Sequence, residues 1–170
     1  MNSEHYYEFH RSDRDALEYA GVARIARSIY EYTQLKQVSE KIEFANQPNK
    51  HSDDVKSCIG DYAEKLGFQG NKPGLFSDYG TKNVCPDFYL SLSDGRGIIC
   101  EVEKSRTIEN NNDILDLWKC HICRDAQYLF LMVPRFYRSG QVYTKVLKRL
   151  EPFFREGNYV NIYGLFVMGY

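Results

Sequence analysis

Apolar positions recur every three or four residues through the stretch 12–44, where Val22, Ile25, Ala26 and Ile29 share one face and Leu35, Val38 and Ile42 continue it. The remainder of that stretch is polar, and no strand-like run interrupts it. Asn46-Gln47-Pro48-Asn49-Lys50-His51 reads as a linker by composition. The pattern therefore predicts an N-terminal helical extension over residues 1–50 and a second unit over 51–170. That unit opens with the clearest helix signal in the chain. Ser52 suits the N-cap, and Asp53 and Asp54 suit the positive end of the helix dipole. Val55, Cys58, Ile59, Tyr62, Ala63 and Leu66 then line one face until Gly67 closes the helix.

Alternation replaces the helical period further on. The Gly-, Asn-, Lys- and Asp-rich stretch 70–83 holds one apolar pair, Leu75-Phe76, that reads as a short strand. Residues 84–92 alternate as a strand, Ser93-Asp94-Gly95-Arg96-Gly97 carries hairpin-turn chemistry, and 98–103 return as the partner strand. Asn112 reads as the cap of a helix with an apolar stripe of Ile114, Leu117, Trp118, His121 and Ile122. A buried strand over 127–133 stops at Pro134, and a helix over 142–154 and a strand over 160–168 follow. This order predicts a mixed sheet with helices on its faces, an α/β (α+β) domain.

At 170 residues the chain has the size of one domain, and 43% hydrophobic residues suffice for a core, which excludes general disorder. No apolar run reaches the ~18–20 residues of a membrane helix. The start, Met1-Asn2-Ser3-Glu4-His5, lacks the basic-then-apolar pattern of a leader, so a cytoplasmic protein with no membrane partner is expected. Lys and Arg total 22 against 23 Asp and Glu, a formal charge of -1. That excludes a polycation coating nucleic acid and leaves room for a locally basic groove. Fourteen Tyr and ten Phe serve equally for burial or for stacking on bases. Cys58, Cys85, Cys100, Cys120 and Cys123 are odd in number and set mostly in apolar segments, so they read as reduced thiols. Cys120-His121-Ile122-Cys123 has the spacing of half a zinc site without a second ligand pair, and no zinc is expected. The Gly-rich phosphate loop, G-x-S-x-G and H-E-x-x-H patterns are absent, which removes support for the small-molecule enzymes they mark.

The chemistry concentrates in carboxylates on the predicted hairpin. Asp87 follows Pro86 on its first strand, and Glu101 and Glu103 stand two apart on the second, hence on one face. Pairing through Asp94-Gly95 brings all three together beside Phe88, Leu90, Ile98, Ile99 and Val102. Like charges repel, and carboxylates near a core resist ionisation. A divalent cation that prefers hard oxygen ligands, Mg²⁺ or Mn²⁺, relieves both problems. The other reading of these residues is a solvated hairpin face on which Glu103 pairs with a lysine.

At Pro86-Asp87 and Glu101-Val102-Glu103 the sequence resembles the PD-(D/E)xK nuclease superfamily, which includes many restriction enzymes and repair nucleases. The first pair looks like the PD element and the triplet like (D/E)xK. The helix upstream, the hairpin, and the helix and strand downstream, over residues 52–134, match the family's α-β-β-β-α-β core. The resemblance implies a restriction-endonuclease-like fold, Mg²⁺ as cofactor with Mn²⁺ as substitute, and hydrolysis of DNA phosphodiester bonds. It makes Asp87 and Glu101 the metal-binding acids and adds the main-chain carbonyl of Val102 as a ligand. Glu103 stands where most members carry lysine, an exchange also found in some active restriction enzymes. Lys104 points by alternation to the opposite face. Lys119, on the following helix, supplies the missing ammonium if it reaches over the sheet edge, and is otherwise a solvated lysine. Asp54 or Asp61 would be the acid that the family often adds from its first helix.

An acidic site needs basic surroundings to admit a polyanion. The candidates are Arg135, Arg138, Lys145, Lys148 and Arg149, with Arg24 and Arg27 from the extension. The chain thus reads as a metal-dependent endodeoxyribonuclease with DNA as partner, and as a homodimer where both strands are cut. The alternative is a nuclease-fold module that binds nucleic acid or a protein without cutting, which the Glu103-for-lysine exchange keeps open.

Overall fold

The computed structural model describes residues 5–11, 14–80, 84–104, 107–138 and 140–170; the first four positions, read above as part of a leaderless start, lie outside them. In chain order the elements are β1 (Tyr6–His10), α1 (Ala16–Gln34), α2 (Lys36–Ala45), α3 (Ser52–Lys65), β2 (Gln69–Gly70), β3 (Phe88–Ser91) and β4 (Gly97–Val102). Then follow α4 (Asn112–Ile122), β5 (Tyr128–Val133), the small hairpin β6 (Phe136–Tyr137) and β7 (Gly140–Gln141), α5 (Val142–Leu150) and β8 (Gly164–Gly169). One mixed sheet has the strand order β1-β8-β5-β4-β3-β2. Its centre is the parallel trio β8, β5 and β4. Every residue of these strands is buried, and they read as near-continuous apolar runs because helices cover both faces.

Alternate residues of the central strands serve two cores. Ile98, Cys100, Val102, Phe130 and Phe166 pack against Val22 and Ile29 of α1, Ile42 of α2 and Val55 and Ile59 of α3. Ile99, Leu129, Leu131 and Val167 pack against Leu117 and Cys120 of α4 and Val142, Val146 and Leu150 of α5. No helix among the described residues is long and apolar enough to cross a membrane.

The structure departs from the sequence pattern in places that matter for the site. The first fifty residues do not stand apart as a helical extension. Tyr6–His10 pairs antiparallel with β8 as an edge strand, and α1 and α2 share one core with α3. The expected boundary at 46–51 is a connection inside that layer. Lys104 fastens it, donating from Nζ to the main-chain oxygens of Lys50 at 2.5 Å and His51 at 3.2 Å. The helix beginning at Ser52 has His51 rather than Ser52 in the cap position, and Asp54 Oδ2 accepts the His51 N–H at 3.1 Å. The strand expected at Leu75-Phe76 is instead β2 at Gln69–Gly70, and Phe76 is a buried core side chain. The last predicted helix stops at Leu150; a 3₁₀ turn, Glu151–Phe154, follows, where Pro152 has no N–H to extend the α ladder.

The rotation of α4 differs most. Trp118, expected inside, is 54% exposed, whereas Asp113 and Asp116 are buried with Leu117 and Cys120. Buried charges are tolerated when paired. Arg149 Nε lies 2.8 Å from Asp113 Oδ2, and Lys119 Nζ lies 2.7 Å from Asp116 Oδ1.

Gly97 opens β4 where two other segments close on it. A Cβ there would meet the Asp125 main-chain oxygen at 2.5 Å and the Tyr89 side chain at 2.6 Å. Gly97→Ala is expected to destabilise the fold by about 1–3 kcal/mol, as forced overpacking does. The check is the urea midpoint, which should fall at unchanged slope; an unmoved midpoint contradicts the close approach.

Candidate functional site

Phe88 of β3 stands opposite Cys100 of β4. One position further, the same register sets Asp87 beside Glu101, and the main chain locks the two together. The Asp87 N–H donates to Glu101 Oε2 at 3.1 Å, and the Val102 N–H donates to Asp87 Oδ2 at 2.9 Å. Two helices bring cations from opposite faces of the sheet. From α3, Lys56 Nζ lies 2.6 Å from Asp87 Oδ1. From α4, Lys119 Nζ lies 2.8 Å from Glu101 Oε1 and 2.7 Å from Asp116 Oδ1. Glu103 Oε2 accepts from Asn112 Nδ2 at 2.6 Å, and the Tyr170 hydroxyl donates to the main-chain oxygen of Glu103. The cluster sits at the carboxyl ends of parallel strands, where open α/β sheets place their ligands.

Four carboxylates, Asp87, Glu101, Glu103 and Asp116, meet two ammonium groups, Lys56 and Lys119. Full ionisation would leave a surplus of negative charge, in a place where Glu101 and Asp116 are each only 2% exposed. Burial, and next the Asp116 carboxylate, push Glu101 up to about 8. The same two causes push Glu103 up to about 7. Burial raises Asp116 as well. For Lys119, burial works against the ammonium form, but the charges on Glu101 and Asp116 outweigh it and raise the pKa. Lys56 follows the same logic with Asp87.

The donor chemistry fits a hard divalent cation. The Asp116 charge acts on Glu103, and Asp116 Oδ2 is buried with no hydrogen-bond partner. Neighbouring buried carboxylates are relieved by a shared proton or by a cation. As arranged, lysines and main-chain N–H groups take the oxygens of Asp87 and Glu101. Among the described residues, no three His, Cys, Asp or Glu side chains stand in metal-ligand geometry.

Asp87, Glu101, Glu103 and Lys119 therefore come together as the sequence suggests, with Lys119 engaged rather than solvated. Val102 adds an N–H to the cluster. Lys104 is turned away, as alternation requires, onto the α2–α3 connection. Asp54 caps α3, and Asp61 lines a groove of about 570 Å³ with Asp53, Lys56 and Asp87. The contribution of α3 to the carboxylates is thus a lysine rather than an acid.

The expected basic rim divides. Arg138, Lys145 and Lys148 are exposed. Arg135 is tied to the Gly169 main-chain oxygen at 3.1 Å and to Gln34, and Arg149 is paired with Asp113. Arg24 lines a depression beside Leu92 and Ser93 at the turn end of the hairpin, away from the carboxylates, and Arg27 pairs with Glu8 at 3.3 Å. Those two leave the proposed rim. Lys56, Asn112 and Asp116 were not anticipated. Asp116 carries a legible signal, one turn before Lys119 on a single helix; Lys56 and Asn112 carry none. Cys120 and Cys123 are fully buried core residues.

Comparison with protein-family models and with curated proteins finds no match for this chain.

Glu101 and Glu103 hold protons more tightly in the folded chain than at the ordinary carboxylate value of 4.5. Their stabilising effect is full below that value and is lost as pH rises through about 7 to about 8. In EDTA, the urea midpoint should therefore fall between pH 5 and pH 8, and Glu101→Gln should flatten the fall. Equal slopes in wild type and variant would contradict the charge surplus.

Proposed function

We propose that the chain is a metal-dependent endodeoxyribonuclease that hydrolyses DNA phosphodiester bonds. One observation carries the reading: Asp87 and Glu101 meet across the β3–β4 pair with the Lys119 ammonium 2.8 Å from Glu101. The elements around them run α3, β2, β3, β4, α4, β5, the order of the PD-(D/E)xK core, and a restriction-endonuclease-like fold is part of the same proposal. Asp87, Glu101 and the open oxygen of Asp116, with the Val102 carbonyl, would hold Mg²⁺ or Mn²⁺. A bound divalent cation neutralises the scissile phosphate and lowers the pKa of its water.

The protein residues divide the remaining tasks by their pKa. Lys119, held protonated by Glu101 and Asp116, serves as a fixed positive charge toward phosphate oxygens and not as a base. Glu103, pushed up to about 7, is matched to take a proton from the attacking water near neutral pH. Asn112 orients it through the 2.6 Å hydrogen bond to Oε2. Arg138, Lys145 and Lys148 offer exposed charges for phosphate contacts. In this reading, cutting both strands of a duplex takes two such sites, hence a homodimer.

The engagement of Asp87 and Glu101 by lysines favours one alternative, a nuclease-fold module that binds nucleic acid or a protein partner without taking a cation or cutting.

Supercoiled, linear and single-stranded DNA incubated with Mg²⁺, Mn²⁺ or EDTA separates the two. Cleavage is expected in either cation and not in EDTA. Asp87→Ala and Glu101→Ala should abolish it in protein that stays folded, and Glu103→Ala should lower it by about 10²- to 10⁴-fold, the usual contribution of a general base. Lys104→Ala should cleave close to wild type. Absence of cleavage by wild type, or full activity in Glu101→Ala, overturns the proposal.

A further inference from the structure

Trp118 is the single tryptophan of the chain, and it stands 54% exposed on α4. Tyr159 is 72% exposed nearby. With Leu117, His121, Phe153 and Val160 they line a cleft of about 140 Å³, well below the ~300–1,000 Å³ of pockets for drug-sized ligands. The space suits one flat ring. The His121 imidazole stands edge-on to both neighbours, at 5.1 Å and 78° to Trp118 and at 6.3 Å and 75° to Tyr159. The two larger rings thus stand steeply to the plane of the imidazole, and both residues are more than half exposed.

The polar groups are as informative as the rings. The Asn161 N–H donates to His121 Nδ1 at 2.9 Å, so the neutral imidazole carries its proton on Nε2 as a donor. The Arg11 guanidinium lies 5.7 Å from the Tyr159 ring centroid and donates to the Val160 main-chain oxygen at 3.1 Å. Among the described residues, no carboxylate lines the cleft. An aromatic cage for a quaternary ammonium competes badly beside a resident cation, whereas a neutral ring with acceptor atoms on its edge meets both stacking faces and a donor. Trp118 immediately precedes Lys119, the residue whose ammonium reaches Glu101.

We propose that this cleft is a base-stacking subsite that takes one unpaired nucleobase of a single-stranded nucleic acid. The inference rests on the nuclease reading for the strand that continues toward the carboxylates; the stacking itself needs no cleavage. It sets the substrate class, because bases inside a duplex have no free faces to offer. Single-stranded, frayed or looped segments are therefore the preferred ligands.

The test uses the fluorescence of Trp118 in wild-type protein with EDTA, titrated with oligothymidylate, an abasic strand of equal length and a blunt duplex. Saturable quenching by oligothymidylate is expected, with weaker binding of the other two. Tyr159→Ala should weaken binding by roughly 5- to 150-fold, the range expected for loss of one stacked base, and Tyr159→Phe, which keeps the ring, should restore it. Equal binding of the abasic strand, no loss in Tyr159→Ala, or saturable quenching by tetramethylammonium in place of oligothymidylate overturns the subsite. The two proposals fail separately: cleavage in Mg²⁺ without quenching removes the subsite alone, and quenching without cleavage removes the nuclease alone.

Discussion

The Lys119 ammonium lies between Glu101 of the central strand β4 and Asp116 of its own helix, at 2.8 and 2.7 Å. Neither carboxylate has water enough to ionise unaided, and removing the partner of a buried charge costs about 3–5 kcal/mol. This contact fixes the rotation of α4 over the sheet. Asp116 and Lys119 must face the end of β4, so Asp113 turns toward Arg149 of α5 and Trp118 turns outward. The carboxylate cluster and the exposed aromatic cleft are thus two consequences of one helix orientation.

The sheet supplies the other half of the constraint. β4, β5 and β8 run parallel, so their carboxyl ends gather Glu103, Arg135 and Tyr170 at one edge. The antiparallel hairpin then returns Asp87 to that same edge. Tyr170 ties the last residue of the chain to Glu103, and Lys104 ties the strand end to the α2–α3 connection. Hydrogen bonds to main-chain groups thus help to hold the acidic residues in register. A polar cluster with rigid backbone support keeps its charges close even though they repel.

The features legible in the sequence were those with a strict period. The β3–β4 hairpin showed itself through alternation and Asp94-Gly95, and the period of two alone set Glu101 and Glu103 on one face against Lys104. Helix α3 was equally plain from its apolar stripe. β1 escaped notice because Tyr6-Tyr7-Glu8-Phe9-His10 is an edge strand with aromatics on both faces, so polar and apolar positions do not alternate. The linker composition of 46–51 describes the local chain and carries no information on what Lys104 does to it. The orientation of α4 departs from its sequence pattern for a related reason. Apolar periodicity counts Trp118 toward the core and Asp113 and Asp116 away from it, whereas ion pairs to distant residues reverse both assignments.

Charge balance links these points to the proposed chemistry. In the resembled family, a lysine on the strand normally supplies the positive charge beside the acids. Here that strand position is Glu103, and the ammonium enters from α4. Moving the cation to the helix leaves it salt-bridged on two sides and fixed in the charged state. The carboxyl group left on the strand is pushed up to about 7 by burial and next by the Asp116 charge. In the proposed mechanism, positive charge and proton acceptance, which one lysine would have to alternate between, fall to two residues whose environments drive their pKa values apart. The exchange at Glu103 is therefore compatible with hydrolysis when its surroundings are considered with it, because Lys119 is the fixed cation and burial, with Asp116, raises the carboxyl.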